Sequence, residues 1–364
     1  MLNKTMLNNG GLQSPLSVSS GITRRQFVIG GFALAGVSLL GPERRAHPAM
    51  CKEIAVATWG GDYGKLLSEF VEGPLKQQGV QILQDQTRAN QRITKLLVEK
   101  PLRRGSIDVV HLNSNDMWQV MKANTLSELD SGKIPNLKNV RKQFENRFSI
   151  PHIFSAWCLL YNRNHVSLPD SYSVFWNPKY KGRVGIQQND SWEWLQMAAL
   201  IIGKGRDYDA GKPGVLELKK LEPKIYSSQE ALAGAIKSEE VWLTPNARAR
   251  TYMWQRAGMP IASAVPKEGA VPVIFRGAVA RNARNPECGF AYLNDMLRPE
   301  AQIGFAKKMG YMPTITNAPI PEDISSQIGF TEKEIEGFCV PDPDYISKNA
   351  SEWAEWWNKN FLTN

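Results

Sequence analysis

An α/β protein folded in two lobes is what this sequence predicts, and three observations carry the prediction. The 364 residues are 42% hydrophobic, enough to bury two ordinary cores. From residue 52 onward, short apolar runs alternate with amphipathic helical stretches, the pattern of strands layered with helices. After Asn162 the composition becomes rich in turn formers before the alternation resumes, which marks a second lobe.

The N-terminus reads as an address. Thr23-Arg24-Arg25-Gln26-Phe27-Val28 precedes an uncharged run from Phe27 to Leu40, closed by Gly41-Pro42, which is the twin-arginine export pattern over residues 1–49. At about 1.5 Å per residue this run is too short for a hydrocarbon layer about 30 Å thick. Cys51 follows closely, but Pro48-Ala49-Met50 is a poor lipidation box. The expected compartment is the periplasm.

Ile54 to Trp59 reads as a strand, Gly60-Gly61 as a turn, and Lys65 to Val71 as the first helix. Val80 to Leu83 and Ile107 to Leu112 are further strands, with Arg92 to Lys100 helical between them, so the chain opens as βαβαβ. Ser155 to Asn162 is another strand. Asn177 to Arg183 and Gly211-Lys212-Pro213-Gly214 then read as breaks. Helices follow at Trp192 to Ile202, Ala231 to Lys237 and Arg248 to Ala257, then a strand at Val271 to Ala280 and a helix at Cys288 to Leu297. Ile346, Ala350, Trp353, Trp357 and Phe361 recur at helical spacing, so one apolar stripe docks the C-terminal segment on a lobe.

Several function classes are excluded by composition. The formal charge is +9, but the first fifty residues hold five cations and one acid, which leaves +5 for the rest. That surplus is too thin for a nucleic-acid interface. Four histidines and four cysteines, scattered, give no metal spacing; Cys158, Cys288 and Cys339 read as small core residues, with pairings left open. Gly60-Gly61-Asp62-Tyr63-Gly64 resembles a dinucleotide turn only in outline, because Asp62 would crowd a pyrophosphate. G-x-S-x-G, H-E-x-x-H and P-loop patterns are missing, so no enzyme and no cofactor is expected. The reading from a different class is an exported cofactor-dependent oxidoreductase, which flavin or nicotinamide absorbance would reveal.

Trp59-Gly60-Gly61-Asp62-Tyr63-Gly64, Tyr161-Asn162, Trp176-Asn177-Pro178-Lys179-Tyr180-Lys181-Gly182-Arg183-Val184, Pro266-Lys267-Glu268-Gly269, Leu297-Arg298-Pro299-Glu300 and Gly310-Tyr311 occur in that order. Together they resemble the polyamine (spermidine/putrescine)-type periplasmic solute-binding proteins of bacterial ABC importers. The resemblance implies a two-lobed type II periplasmic binding-protein fold with two crossover hinge strands, near Trp157 to Tyr161 and Val271 to Arg276. Residues 52–158 with 274–325 would form one lobe, and 159–273 with 326–364 the other. It also implies a monomer that captures a small-molecule solute and delivers it to a permease in the inner membrane.

By the same resemblance, Trp59, Tyr63 and Tyr311 match aromatic walls, and Asp62 an acidic partner for an amine. Asp190 and Glu193 match two acidic contacts, although Asp190-Ser191-Trp192-Glu193 is equally a capping-box spacing. Asn113, Ser114 and Asn115 fall on a polar ligand loop. The departures matter more. An aromatic and the amine-pairing aspartate of the resembled proteins fall on Val273 and Phe275, and Arg276 follows; a second tryptophan is lost to Asn246 or Ala247, with Arg248 and Arg250 close behind. Arg276, which interrupts an apolar strand, and Arg248, at a helix start that is equally compatible with solvent, would repel a polycation and grip a carboxylate. The expected ligand is therefore a carboxylate-bearing organic acid or amino-carboxylate, with a polyamine as the alternative.

Overall fold

The structure, a computed structural model, describes residues 51–363; the leader expected over 1–49 lies outside them. The first part runs β1 (Glu53–Thr58), α1 (Gly61–Leu66), α2 (Gly73–Gln77), β2 (Gln81–Gln86), α3 (Ala89–Glu99), β3 (Val109–Asn113) and α4 (Ser114–Lys122). The middle part runs β4 (Ile150–Asn162), β5 (Gly185–Gln187), α5 (Ser191–Ile201), α6 (Lys212–Lys219), β6 (Lys224–Tyr226), α7 (Gln229–Lys237), β7 (Leu243–Ala247), α8 (Arg248–Arg256) and β8 (Ile261–Ala264). The last part runs β9 (Val271–Val279), α9 (Pro286–Met296), α10 (Pro299–Met309), β10 (Met312–Pro313), α11 (Glu322–Ile328), α12 (Glu332–Glu336) and α13 (Pro343–Trp357).

The opening βαβαβ pattern is present. β1 pairs in parallel with β2 and β3, and the main sheet runs β10-β4-β9-β3-β1-β2. β1 and β3 are apolar along nearly their whole length because helices cover both faces. β9 enters antiparallel between β3 and β4, pairing Asn113 with Phe275 and Trp157 with Val271.

β4 is the element that joins the halves. From Ile150 to Trp157 it pairs with β9, and from Trp157 to Asn162 it pairs with β7 and β8. It starts earlier than the Ser155 expected from the sequence. Pro151 hides that start, and the register slips between Pro151 and Ile153, where a bulge accommodates a residue without an N–H. Two principal cores flank it. One gathers Leu67, Val109, Leu293 and Phe305 around β1, β3, α9 and α10. The other gathers Phe175, Trp194, Leu195, Trp353 and Trp357 around α5 and α13. The C-terminal stripe docks there as expected, and Trp353 Nε1 and Trp357 Nε1 donate to Asp209 Oδ1 at 3.1 Å and Gln188 O at 3.0 Å.

Two expectations are corrected. Gly211 to Gly214 does not break the chain: α6 begins at Lys212, since Pro213 sits in its first turn, where no N–H is needed. Cys288 is buried as expected but bonded to Cys51, 237 residues away, with a Cα–Cα distance of 6.3 Å. Cys158 and Cys339 are free thiols. Among the described residues no helix is long and apolar enough to cross a membrane.

Candidate functional site

β3 stops at Asn113 while β9 continues back to Val271, so on that side the edge of β9 from Val271 to Ile274 has no partner strand. A cavity of about 440 Å³ fills the space. It lies beyond the carboxyl end of β3, the place where open α/β sheets offer a crevice to ligands, and its size suits a small organic molecule. Asn113, Ser114 and Asn115 form its floor, Arg276 and Phe144 one wall, and Trp192 and Glu193 from α5 the other. Trp118, Trp157 and the segment from Ile335 to Pro343 enclose the rest.

Arg276 is the cation of the cavity. Its Nε donates to Ser114 Oγ at 3.1 Å, and both terminal nitrogens donate to Phe144 O at 3.2 Å. Among the described residues no carboxylate pairs with it, and burial alone pulls its pKa down to about 10, still well above neutrality. A half-buried guanidinium that holds only neutral oxygens keeps donors available for an anion.

Glu193 is the acid of the cavity. Its Oε2 is buried without any hydrogen-bond partner. Burial, reinforced by the nearby charge of Asp190, pushes its pKa well above the carboxylate range. Asp190 itself is raised to about 7 by burial, against a hydrogen bond from Gln187 Nε2 at 3.2 Å. The capping alternative is not realised for Asp190, whose side chain accepts no bond from the α5 amides.

The remaining expected residues lie elsewhere or are otherwise engaged. Asn113 caps α4: its Oδ1 accepts from Asp116 N and its Nδ2 donates to Asp116 Oδ2, both at 2.9 Å. Trp59, Tyr63 and Tyr311 do not line the cavity. They gather around Phe275, with ring centroids at 4.7, 5.5 and 5.1 Å, so the residue that replaces the expected aspartate fills the aromatic box. Tyr63 is buried, its hydroxyl 2.9 Å from His152 Nδ1. Asp62 is exposed on the first turn of α1. Arg248 points at the segment after α11, donating to Gly329 O and stacking 4.7 Å over Phe330.

Sequence reasoning missed Trp118, Trp157 and Trp192. Trp157 and Trp192 sit in elements recognisable by their period, where a tryptophan facing a cavity looks the same as one facing a core, while α4, which carries Trp118, was itself not read from the sequence. Trp118 Nε1 also donates to Asp344 Oδ1 at 3.0 Å, which ties α4 to the first turn of α13 beside the cavity. Among the described residues no cluster of histidine, cysteine or acidic side chains is placed to hold a metal.

Comparison with known proteins meets this geometry from outside. The spermidine/putrescine-binding periplasmic protein of Escherichia coli (strain K12) is 27% identical over 301 residues, covering 79% of this chain and 82% of that one. Among solved structures, an ABC transporter substrate-binding protein from Bradyrhizobium japonicum USDA 110 superposes with a TM-score of 0.73 at 19% identity, over 86% of this chain and 100% of that one. The Atu4243–GABA receptor superposes with a TM-score of 0.72 at 16% identity, over 84% and 96%. These likenesses establish the two-lobed periplasmic binding-protein fold. A family profile described as bacterial extracellular solute-binding protein matches residues 107–348, well over half of the sequence. The family expected from the ordered motifs is therefore the right one, and this chain belongs to the bacterial extracellular solute-binding proteins.

Proposed function

We propose that this chain is the periplasmic substrate-binding component of an ABC importer, and that it holds a carboxylate-bearing solute in the cavity between β3, β9 and α5 without altering it. The observation that carries the choice of ligand is Arg276, a cation in the cavity wall with no acid beside it. An anionic solute supplies the missing partner, and a polycation meets repulsion there. Ser114 and Asn115 complete the anion's surroundings, and Glu193 with Asp190 supplies an acidic side for any amine on the same solute. Arg248 supports the segment after α11 rather than the ligand.

On this reading the lobes divide at 158/159 and 273/274, inside the strands that cross between the two cores. Closure about those crossings presents the loaded form to a permease in the inner membrane. Residues 1–49 direct twin-arginine export, and the mature chain acts as a monomer and carries out no catalysis.

The second reading is a polyamine. Glu193 favours it, as a buried acid without a partner among tryptophans, and so does the ligand in the name of the Escherichia coli relative. Calorimetric titration of Arg276→Ala separates the two. On the carboxylate reading the substitution abolishes binding of hexanoate and related acids, a loss of at least about a hundredfold, and leaves putrescine unchanged or improved. A variant that still binds acids rejects the carboxylate reading, and an unaltered protein that binds putrescine and none of these acids establishes the polyamine instead.

A further inference from the structure

A carboxylate on Arg276 satisfies only one wall of the cavity. The floor on that side is favourable to negative charge twice over: Arg276 stands beside Ser114, and Ser114 opens α4, a helix of nine residues. The first amides of that helix have no acceptor within it, and Asn113 caps only Asp116. The facing wall carries an acid instead. Glu193 comes from α5, which belongs to the other core, and its Oε2 has no donor. A solute with a carboxylate alone leaves Glu193 stranded, and one with an amine alone leaves Arg276 stranded; each stranded group keeps its desolvation cost.

We infer that the solute is a zwitterion whose carboxylate sits on Arg276 and Ser114, whose ammonium sits on Glu193, and whose apolar spacer lies among Trp118, Trp157 and Trp192, and that its docking releases a proton. The proton comes from Glu193. Without solute, burial and then the neighbouring charge of Asp190 keep its carboxyl protonated. The arriving ammonium keeps all three of its protons, and the O–H bond of Glu193 breaks, delivering one proton to the solvent. The carboxylate left behind pairs with the ammonium. Because the two charged ends are held by groups from different cores, the solute has one orientation and spans the crevice. The inference rests on the carboxylate reading and narrows it.

The test is isothermal titration of the full chain at neutral pH with 4-aminobutyrate, 6-aminohexanoate, hexanoate and hexylamine, with putrescine as a control, in phosphate and in Tris. These buffers differ in ionisation enthalpy, so the difference in heat counts protons. The expected result is that at least one of the two amino acids binds about tenfold or more tighter than either monopolar compound, with close to one proton released per solute. Glu193→Gln is expected to erase both the preference and the proton release. Equal affinity for hexanoate and the amino acids, or heats independent of buffer, overturns the inference and leaves the carboxylate reading standing. Putrescine binding with no acid bound overturns both, as does binding of none of the five compounds. Should Glu193→Gln fail to fold, the two-buffer comparison on the unaltered protein decides the matter alone.

Discussion

Phe275 and Arg276 are consecutive on β9 and make opposite use of the strand. Phe275 enters the aromatic group of Trp59, Tyr63 and Tyr311, and Arg276 faces the cavity with Phe144 and Ser114. On the proposed reading, two neighbouring positions remove an amine site and create an anion site, since successive side chains on a strand alternate between its faces. Replacing Phe275 with aspartate should empty the aromatic group and place an acid within it. Putrescine binding is then expected to strengthen by about tenfold or more relative to the unaltered protein. Thermal unfolding should show a loss of about 2–4 kcal/mol from the missing ring, so the titration belongs below the lowered midpoint. Arg276 was legible in the sequence because a charge in an apolar strand demands a partner. The plugging of the box by Phe275 was not, because which aromatic rings meet depends on how β1, β9 and β10 assemble.

At the scale of elements, helix packing sets tolerances that the cavity does not share. Gly211, just before α6, lies so close to α5 that a Cβ there would collide with the Leu195 carbonyl, and backbone cannot yield as a side chain can. Gly211→Ala should therefore cost about 1–3 kcal/mol in denaturant titration, with solute affinity unchanged because neither residue touches the cavity. Legibility followed element length. The βαβαβ opening and the docking stripe of α13 declare themselves by local period, and both are found where expected. β5 and β6 have three residues each and β8 has four, too few to establish a period. Their existence depends on the strands that receive them. The bond between Cys51 and Cys288 was beyond reach for a similar reason: it joins the start of β1 to α9 across most of the chain.

Across the whole molecule, buried titratable groups pull stability in opposite directions with pH. Burial holds His152 down to about 3 and His111 well below its ordinary value of 6.5. Below about 6.5 the unfolded chain takes up protons that these folded rings refuse, so their contribution is complete above that pH and is lost as pH falls toward 3. The buried acids act the other way. Asp295 is raised to about 6 and Asp190 to about 7, and Glu193 is held well above its ordinary value, all chiefly by burial. Their contribution is complete below the ordinary carboxylate range and is lost as pH rises through the elevated values. Chemical denaturation across a pH series should show the two trends offsetting between about pH 4 and 6, then a decline from about pH 6 upward. Glu193→Gln should reduce that alkaline decline. An unchanged slope in the variant would mean that Glu193 is already ionised in the folded protein.

The three indoles around the cavity have a practical consequence. Trp118, Trp157 and Trp192 are three of the eleven tryptophans in the chain, and all three border the space a solute would occupy. On the proposed reading, occupancy would replace water beside each of them and give the molecule a built-in optical gauge. A change in ultraviolet-excited emission on adding a compound would follow loading in real time, with no dye attached.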